Sequence, residues 1–204
     1  MNLLKPLILT AIAIAAVPAL TASKATLAPA FSSAEAGAYT IDTSHSTVMF
    51  RIKHLDVSYA YGRFDSFEGN FVLSEEKGKS VLNATVLSKS VNTNDKKRDG
   101  HLSSPDFLNV KQYPEISFES KSFTKTGETA YEVAGTLNLH GESKEIKVPM
   151  TFVGARDAGA RFGFRAGLEG SFKVNRRDFG MDTYPDDVLG NEITMTLSFE
   201  GIRE

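Results

Sequence analysis

The chain has 204 residues, which is enough for one domain with a sizeable core. Its formal net charge of −2 excludes the strongly basic surface with which proteins bind nucleic acid, so no nucleic-acid partner is expected. The absence of cysteine excludes both a disulfide framework and a lipidated amino-terminal cysteine.

The first element is an apolar amino-terminal segment. Lys5 is its only early charge, and the uncharged run 6–20 that follows is rich in Leu, Ile and Ala. This pattern of an early positive charge and an apolar run is typical of a secretory signal peptide. The run is too short to span a bilayer as a transmembrane helix.

Two positions fit signal cleavage. The site after Ala36 has the better pattern of small residues, and a site after Ala25 is the alternative. We therefore expect residues 1–36 to be removed and residues 37–204 to form the mature domain. No later segment approaches membrane-spanning length, so the sequence predicts a soluble periplasmic or secreted protein.

From residue 39 onward, apolar and polar residues alternate with a period of two in eight segments, which predicts β-strands with one buried face. The fifth and sixth segments flank a tight turn at residues 140–142, which indicates a hairpin. The predicted inward faces carry, in chain order, Val48, Phe50, Ile52 and His54; Phe67, Gly69, Phe71 and Leu73; Leu82, Ala84 and Val86; Ile116 and Phe118; Val133, Gly135, Leu137 and Leu139; Ile146, Val148, Met150 and Phe152; Phe162, Phe164, Ala166 and Leu168; Ile193, Met195, Leu197 and Phe199.

Eight strands in one domain predict an all-β fold, either a closed antiparallel barrel or a two-sheet sandwich. Closure removes the exposed strand edges that a sandwich must protect. Between the third and fourth strands, Ser104-Pro105-Asp106 resembles a helix cap followed by proline at the first helical position, which predicts a short helix over one end. Alternation alone does not say whether such a barrel is filled or holds a ligand.

Common catalytic and cofactor motifs are absent from the sequence. There is no G-x-S-x-G, H-E-x-x-H, P-loop or G-x-G-x-x-G pattern, and the four histidines lack metal-ligand spacing. No cofactor, metal or catalytic residue is therefore expected. Two polar clusters, 95–101 and 175–178, are either solvated loop charges or contacts for an anionic head group.

Several short motifs follow one another along the chain. They are Tyr39-Thr40-Ile41-Asp42 with His45-Ser46, Gly62-Arg63-Phe64, Phe67-Glu68-Gly69, Ser90-Val91-Asn92-Thr93, Arg98-Asp99-Gly100-His101-Leu102, Ser104-Pro105-Asp106-Phe107, Tyr113-Pro114, the run 135–141 and the run 175–180. Their order and spacing resemble those of the YceI-like family, lipocalin-like bacterial proteins described as polyisoprenoid-binding. The resemblance implies an eight-stranded antiparallel barrel around an elongated apolar cavity that accommodates an isoprenoid chain, with no established catalytic activity.

The resemblance and the alternation together predict a carrier of a polyisoprenoid or isoprenoid-quinone-type lipid. Transient membrane contact and a homodimer are both compatible with this function. The head-group candidates are Arg98, His101 and Arg176. The predicted cavity residues are Phe50, Ile52, His54, Phe71, Phe118, Met150, Phe164, Ala166 and Leu168, with Phe64 and Phe107 at the mouth.

Two rival hypotheses remain open at this point. The first is an enzyme acting on such a lipid through His101 with Asp99 or Asp178. The second is an interaction or stress protein whose barrel is a solid core and whose loops bind another protein. A hollow interior favours the carrier over the second rival.

Overall fold

The computed structural model describes residues 31–204, so most of the expected signal peptide lies outside the described residues. Within 31–204, no helix is both long enough and apolar enough to cross a membrane. The elements are β1 (Gly37–Ile41), β2 (Thr47–His54), β3 (Ser58–Phe64), β4 (Phe67–Leu73), β5 (Val81–Leu87), β6 (Val91–Asn92), α1 (Lys96–Leu102), β7 (Glu115–Lys125), β8 (Ala130–Leu139), β9 (Glu142–Asp157), β10 (Phe164–Asn175) and β11 (Leu189–Arg203).

The strands close into an antiparallel barrel. Hydrogen-bonded neighbours follow the order β1, β4, β5, β7, β8, β9, β10 and β11, and β11 pairs back onto β1. β2 extends the barrel along β11, β3 pairs with β2, and β6 pairs with β3. The predicted eight-stranded antiparallel barrel is therefore confirmed.

Three staves of the barrel each consist of two shorter strands that follow one another along the chain. These pairs are β1 and β2, β3 and β4, and β5 and β6. The eight strands predicted from the sequence correspond to β2, β4, β5 and β7 to β11. The structure contains three further short strands that the alternation does not predict, β1, β3 and β6. We call the end that carries β1 and β4 the closed end. The end that carries the β2–β3 turn and α1 is the open end.

The β8–β9 hairpin forms where the alternation predicts it. Leu139 pairs with Glu142 across a two-residue turn, and both turn residues have positive φ, 53° for His140 and 80° for Gly141. This conformation matches the type I′ turn whose twist fits that of the flanking strands. The hairpin sets the register of two long strands at the open end.

The helix lies between the predicted third and fourth strands, but the predicted start at Ser104 is wrong. The Asp95 carboxylate accepts hydrogen bonds from the backbone N–H groups of Lys97 (2.9 Å) and Arg98 (3.0 Å), so it caps α1 instead. Pro105 lies just beyond the end of α1, where it interrupts no helical hydrogen bond. Residues 103–114 then lead to β7.

The closed half of the barrel is filled by side chains. Tyr39 stacks on Phe71 with ring centroids 5.0 Å apart, and both side chains are fully buried. Phe31, from the segment before β1, stacks on Tyr131 at 4.8 Å and contacts Phe152 edge-on at 5.3 Å. These rings form part of one large hydrophobic cluster, so the closed end is plugged.

Candidate ligand-binding cavity

A cavity of about 500 Å³ occupies the open half of the barrel. Predicted residues that line it are Phe50, Ile52, His54, Phe64 and Phe107, together with the head-group candidates Arg98, His101 and Arg176. The sequence places five further lining residues on inward faces without assigning them to the cavity, namely Ile116, Leu137, Leu139, Ile193 and Met195. The lining residues that it misses are Ser58, Tyr59, Ala60, Val91, Thr93, Leu102, Leu108, Phe172, Val174, Met181, Tyr184, Val188 and Leu189.

Six predicted wall residues lie elsewhere, and this part of the prediction needs correction. Alternation identifies the inward face of a strand, but it does not tell whether an inward side chain meets a void or another side chain. These six side chains meet others, mostly in the closed half. They are Phe71, Phe118, Met150, Phe164, Ala166 and Leu168.

Small inward residues on β3 leave room for the cavity. Ser58 and Ala60 line it, and at Gly62 an added Cβ would collide with the ring of Phe50. The two tyrosines of this strand, Tyr59 and Tyr61, have about half of their surface in solvent, and its last residue, Phe64, is the large side chain that is buried. The usual large-inside pattern is therefore inverted over residues 58–62, which is why alternation of apolar residues does not identify the strand.

An aromatic cluster forms part of the rim. His101 contacts Phe107 (5.0 Å between centroids) and Tyr184 (6.1 Å), and Phe107 stacks on Tyr184 at 5.9 Å. The Thr183 hydroxyl donates a hydrogen bond to the Asp106 carbonyl at 2.7 Å. The rim thus joins the chain after α1 to the β10–β11 loop.

Arg176 fastens the β10–β11 loop from inside. Its side chain is 1% exposed, and its guanidinium donates hydrogen bonds to the carbonyls of Met181 (2.5 Å), Tyr184 (2.5 Å), Leu189 (3.0 Å) and Gly190 (3.1 Å). Burial, aided by the neighbouring charge of Arg177, lowers the pKa of Arg176 from its usual value. An arginine remains charged in spite of this. The structure therefore gives this head-group candidate a loop-binding role.

Arg98 belongs to a network that fixes α1 to the end of β6. Its Nε donates to the Thr93 hydroxyl and its Nη2 to the Thr93 carbonyl, both at 2.7 Å. The Asp99 carboxylate accepts from the Thr93 backbone N–H at 2.7 Å and from its hydroxyl at 2.6 Å. Thr93 and Arg98 also line the cavity, so this network places a polar patch on a mostly apolar wall.

Comparison with known proteins identifies the family. A YceI-like domain model matches residues 39–201. A UPF0312 protein from Pseudomonas aeruginosa is 39% identical over 176 residues, covering 84% of this chain and 90% of the relative. A UPF0312 protein from Serratia proteamaculans is 37% identical over 175 residues, covering 84% and 89%. The chain belongs to the YceI-like family.

Solved structures show the same fold. The Campylobacter jejuni YceI protein is 27% identical with a TM-score of 0.67, and the match covers 74% of this chain and 90% of that one. BcnA from Burkholderia cenocepacia has 19% identity, a TM-score of 0.72 and coverages of 78% and 98%. A polyisoprenoid binding domain from Saccharophagus degradans has 15% identity, a TM-score of 0.65 and coverages of 82% and 99%. At 19% and 15% identity the likeness shows the fold alone.

The YceI-like motif at 175–180 has a structural role in this barrel. The Asn175 side chain accepts a hydrogen bond from the Arg177 backbone N–H at 3.0 Å and so caps the 3₁₀ turn that follows β10. Gly180 ends that turn with φ at 71°, a conformation that favours glycine. The turn presents Arg176 to the loop carbonyls described above.

The catalytic pair proposed from the sequence is not formed in this YceI-like structure. His101 Nε2 lies 3.2 Å from Asp106 Oδ2, whereas Asp99 is engaged by Thr93. Both members of the His101–Asp106 pair are more than 40% exposed in their side chains. The sequence hypothesis names Asp99 or Asp178 as the partner of His101. Among residues 31–204, the carboxylate paired with His101 is Asp106, and no ion pair joins His101 to either Asp99 or Asp178, so this part of the hypothesis needs correction.

A second charged cluster lies outside the cavity, at the closed end. Ligand atoms of Asp42, His45 and Glu200 lie within 4.8 Å of one another. Arg165 Nη1 already supplies a cation there, at 2.6 Å from Asp42 Oδ2 and 2.9 Å from Glu200 Oε1. Hydrogen bonds from Arg165 and then His45 lower the pKa of Asp42 to about 2. The cluster links β10 and β11 to the residues after β1.

Proposed function

We propose that this protein is a carrier that binds an isoprenoid-type lipid, or a similar long amphiphile, in the cavity of the open half. The observation that carries the proposal is an apolar cavity of about 500 Å³ inside a barrel that is otherwise packed. Protein interiors have few voids larger than a water molecule, whereas ligand pockets commonly span about 300 to 1,000 Å³.

The wall chemistry fits an apolar cargo with a polar end. Aliphatic and aromatic side chains such as Phe50, Ile116 and Met195 form most of the surface. Polar groups, among them Thr93 and Tyr184, are few. The Saccharophagus degradans domain with this fold is described as polyisoprenoid binding, which agrees with the proposal but at its low identity adds only the fold.

Transfer energetics support a carrier rather than a permanent store. A lipid that leaves a bilayer for an apolar cavity exchanges one apolar medium for another, so it gains little hydrophobic free energy. Loading and unloading are then nearly balanced, as a carrier requires. Transient membrane contact belongs to this proposal, since cargo must enter from and return to a bilayer.

Export to the periplasm is part of the same proposal and is supported by the apolar segment 6–20. Phe31 favours the earlier cleavage site, after Ala25, over the site after Ala36. Cleavage after Ala36 would remove a ring that is 2% exposed and leave a hole in the closed-end core. Cleavage after Ala25 keeps that ring in the mature protein.

Mass spectrometry of an organic extract tests the proposal. Protein purified without delipidation from the cells that naturally make it should release a hydrophobic molecule in stoichiometric amount. An Ala60→Trp variant, whose ring fills the cavity, serves as the control and should release none. A clean extract from the wild-type protein would contradict the proposed function.

A further inference from the structure

The β2–β3 hairpin carries a cluster of exposed apolar side chains. Of the eight large hydrophobic side chains that are most exposed within residues 31–204, five belong to this hairpin, and Val57 is the most exposed of all at 82%. Single apolar residues are ordinary on a protein surface, whereas a cluster of them marks an interaction site. The five residues are Met49, Leu55, Val57, Tyr59 and Tyr61.

The tip of the hairpin holds a leucine in an unfavourable conformation. Leu55 and Asp56 have positive φ values of 50° and 55°, which suit glycine, asparagine and aspartate but are rare for a bulky apolar side chain. The turn is fixed, since the Leu55 backbone N–H donates a hydrogen bond to the Val188 carbonyl at 2.9 Å. Because Leu55 is half-exposed, little burial offsets the strain, which indicates a role for this side chain outside the fold.

The cavity reaches the protein surface beside this hairpin. β3 pairs with β6 only at Arg63 and Phe64, so over residues 58–62 one of its edges has no strand partner in the described part of the chain. The Arg51 guanidinium lies over the ring of Tyr59 on the outer face, 4.6 Å from its centroid, and yet Tyr59 also lines the cavity. The cavity therefore opens at the free edge of β3.

The helix α1 flanks this opening with unpaired positive charge. Leu102 of α1 lines the cavity together with Tyr59. Lys96 and Lys97, in the first turn of α1, are exposed, and none of the ion pairs within residues 31–204 includes them or Arg51. The charge of these three cations is therefore available to a partner outside the chain.

The carboxylates of the hairpin region each have a cation partner. Asp56 lies 2.9 Å from Lys53 Nζ, and Asp65 lies 2.6 Å from Arg63 Nε. The acidic β10–β11 loop, which includes Asp187, leads into β11, on the side of β2 away from β3. The side of the hairpin toward α1 thus carries an excess of positive charge in a chain whose net charge is negative.

We propose that the protein docks on a bilayer containing anionic phospholipids through the outer side of the β2–β3 hairpin and α1, with the cavity opening toward the membrane. This inference rests on the proposed function, because cargo must pass between bilayer and cavity, and it adds the surface that makes the contact. Exposed apolar side chains and tyrosines bury favourably at the membrane interface, and unpaired lysines are attracted to anionic head groups. The docking face consists of Arg51, Leu55, Val57, Tyr59, Lys96 and Lys97.

Vesicle flotation tests the docking face. Delipidated protein is mixed with vesicles of phosphatidylethanolamine and phosphatidylglycerol, or with vesicles of phosphatidylcholine alone, and the partition constant is measured. The wild type should prefer the vesicles that contain phosphatidylglycerol by at least about tenfold, since each cation near an anionic surface contributes about fivefold. Added salt should reduce this preference.

A pair of valine variants tests the apolar tip. Val57→Asp should weaken vesicle binding by at least about tenfold, because it places a negative charge where an apolar side chain enters the interface. Val153→Asp is the matched control and should bind vesicles like the wild type. Val153 is 64% exposed and follows Phe152 in the closed half of the barrel.

Two double variants test the charge. Lys96→Glu with Lys97→Glu should weaken binding to phosphatidylglycerol vesicles by at least about tenfold. Lys77→Glu with Lys79→Glu changes two exposed lysines in the β4–β5 turn at the closed end, and it should leave this binding within about threefold of the wild type.

A second measurement separates docking from cargo binding. The affinity of each delipidated variant in solution for a prenyl alcohol with three isoprene units should equal that of the wild type, because none of the changed side chains lines the cavity. A wild-type protein that binds the alcohol but no vesicles would overturn the docking inference and leave the carrier proposal standing. Vesicle binding through this face without binding of the alcohol would contradict the carrier proposal alone.

Two further outcomes would overturn the docking inference. One is undiminished vesicle binding by both Val57→Asp and the Lys96, Lys97 double variant. The other is a dimer in sedimentation velocity that Val57→Asp dissociates, in a protein that does not bind vesicles, since the face would then be covered by a second copy of the chain.

Discussion

Phe31 stacks on Tyr131 with ring centroids 4.8 Å apart, although it precedes the cleavage site that the sequence favours. Residues near it join the same plug, since the Arg203 guanidinium donates to the Ala34 carbonyl at 2.6 Å and the Tyr39 hydroxyl donates to the Glu35 carbonyl at 2.7 Å. The segment before β1 is thus part of the closed end.

The first prediction follows from this plug. The protein recovered from the periplasm should begin upstream of Phe31, at Thr26 if cleavage follows Ala25. Amino-terminal sequencing checks this. A chain that starts at Gly37 should be less stable than one that starts at Thr26 by about 3 kcal/mol, the usual cost of losing a buried phenylalanine.

A Phe31→Ala variant of the longer chain is the control for that comparison. It should reproduce most of the loss in the free energy of unfolding, because Phe31 is the buried aromatic side chain that truncation removes from the described part of the chain. An exported protein that begins at Gly37 would contradict the prediction. So would intact Met1 on protein from the periplasm, which would contradict cleavage altogether.

The second prediction concerns Asp42 and pH. The folded-state pKa of Asp42, about 2, lies below its ordinary value of 3.8, so its ionised form stabilises the fold above pH 4. This contribution is lost as the pH falls from about 4 to about 2. Asp42→Asn should cost about 1 to 2 kcal/mol at pH 7, and the difference from wild type should shrink toward pH 2.

Urea denaturation between pH 7 and pH 2 measures the difference. Glu75→Gln, which changes an exposed carboxylate in the β4–β5 turn, is the control and should follow the wild type closely. A constant gap between wild type and Asp42→Asn across this pH range would contradict the assigned role of the Arg165 contact.

The third prediction addresses the loop held by Arg176. Arg176→Met should destabilise the protein by about 3 to 5 kcal/mol, because one buried and three partly buried carbonyls lose their donor. Lys173→Met, which breaks only the exposed pair with Glu192, should cost less than about 1 kcal/mol. Denaturant unfolding of delipidated protein compares the two, and equal losses would refute the loop-binding role.

The sequence predicts the barrel well where a strand keeps one face apolar along its length. β11 and the β8–β9 hairpin follow this pattern, since inward residues such as Met195 and Val133 alternate with polar neighbours. β3 lacks this pattern because its inward residues between 58 and 62, including Ala60, are small and its tyrosines are about half-exposed. α1 is hard to place from the sequence because its residues before Leu102 show no apolar period and Asp95 is its cap.

The position of the cavity could be predicted only in part. Phe50 and Ala166 both occupy inward positions of barrel strands, and nothing in their spacing separates them. The difference arises from partners distant in sequence: Ala166 lies opposite Ala155 and Gly201 in the filled half, whereas Phe50 faces the void. Packing between residues far apart in the chain decides which inward residues can meet a ligand.

The fourth prediction compares two alanines that face inward in the two halves. Ala166 is 2% exposed in the packed half, so Ala166→Trp should cost about 3 kcal/mol or more through overpacking. Ala60 lines the cavity, so Ala60→Trp should leave the unfolding midpoint of the lipid-free protein nearly unchanged. Thermal unfolding must use delipidated protein, because a bound ligand raises the midpoint by itself.

The dissociation constant of a three-unit prenyl alcohol for delipidated Ala60→Trp tests the cavity as the binding site most directly. The ring should take up the space meant for cargo and weaken binding by at least about tenfold relative to the wild type, in a variant that remains folded. Wild-type affinity in the folded variant would contradict the account, because cargo would then bind somewhere other than the open half of the barrel.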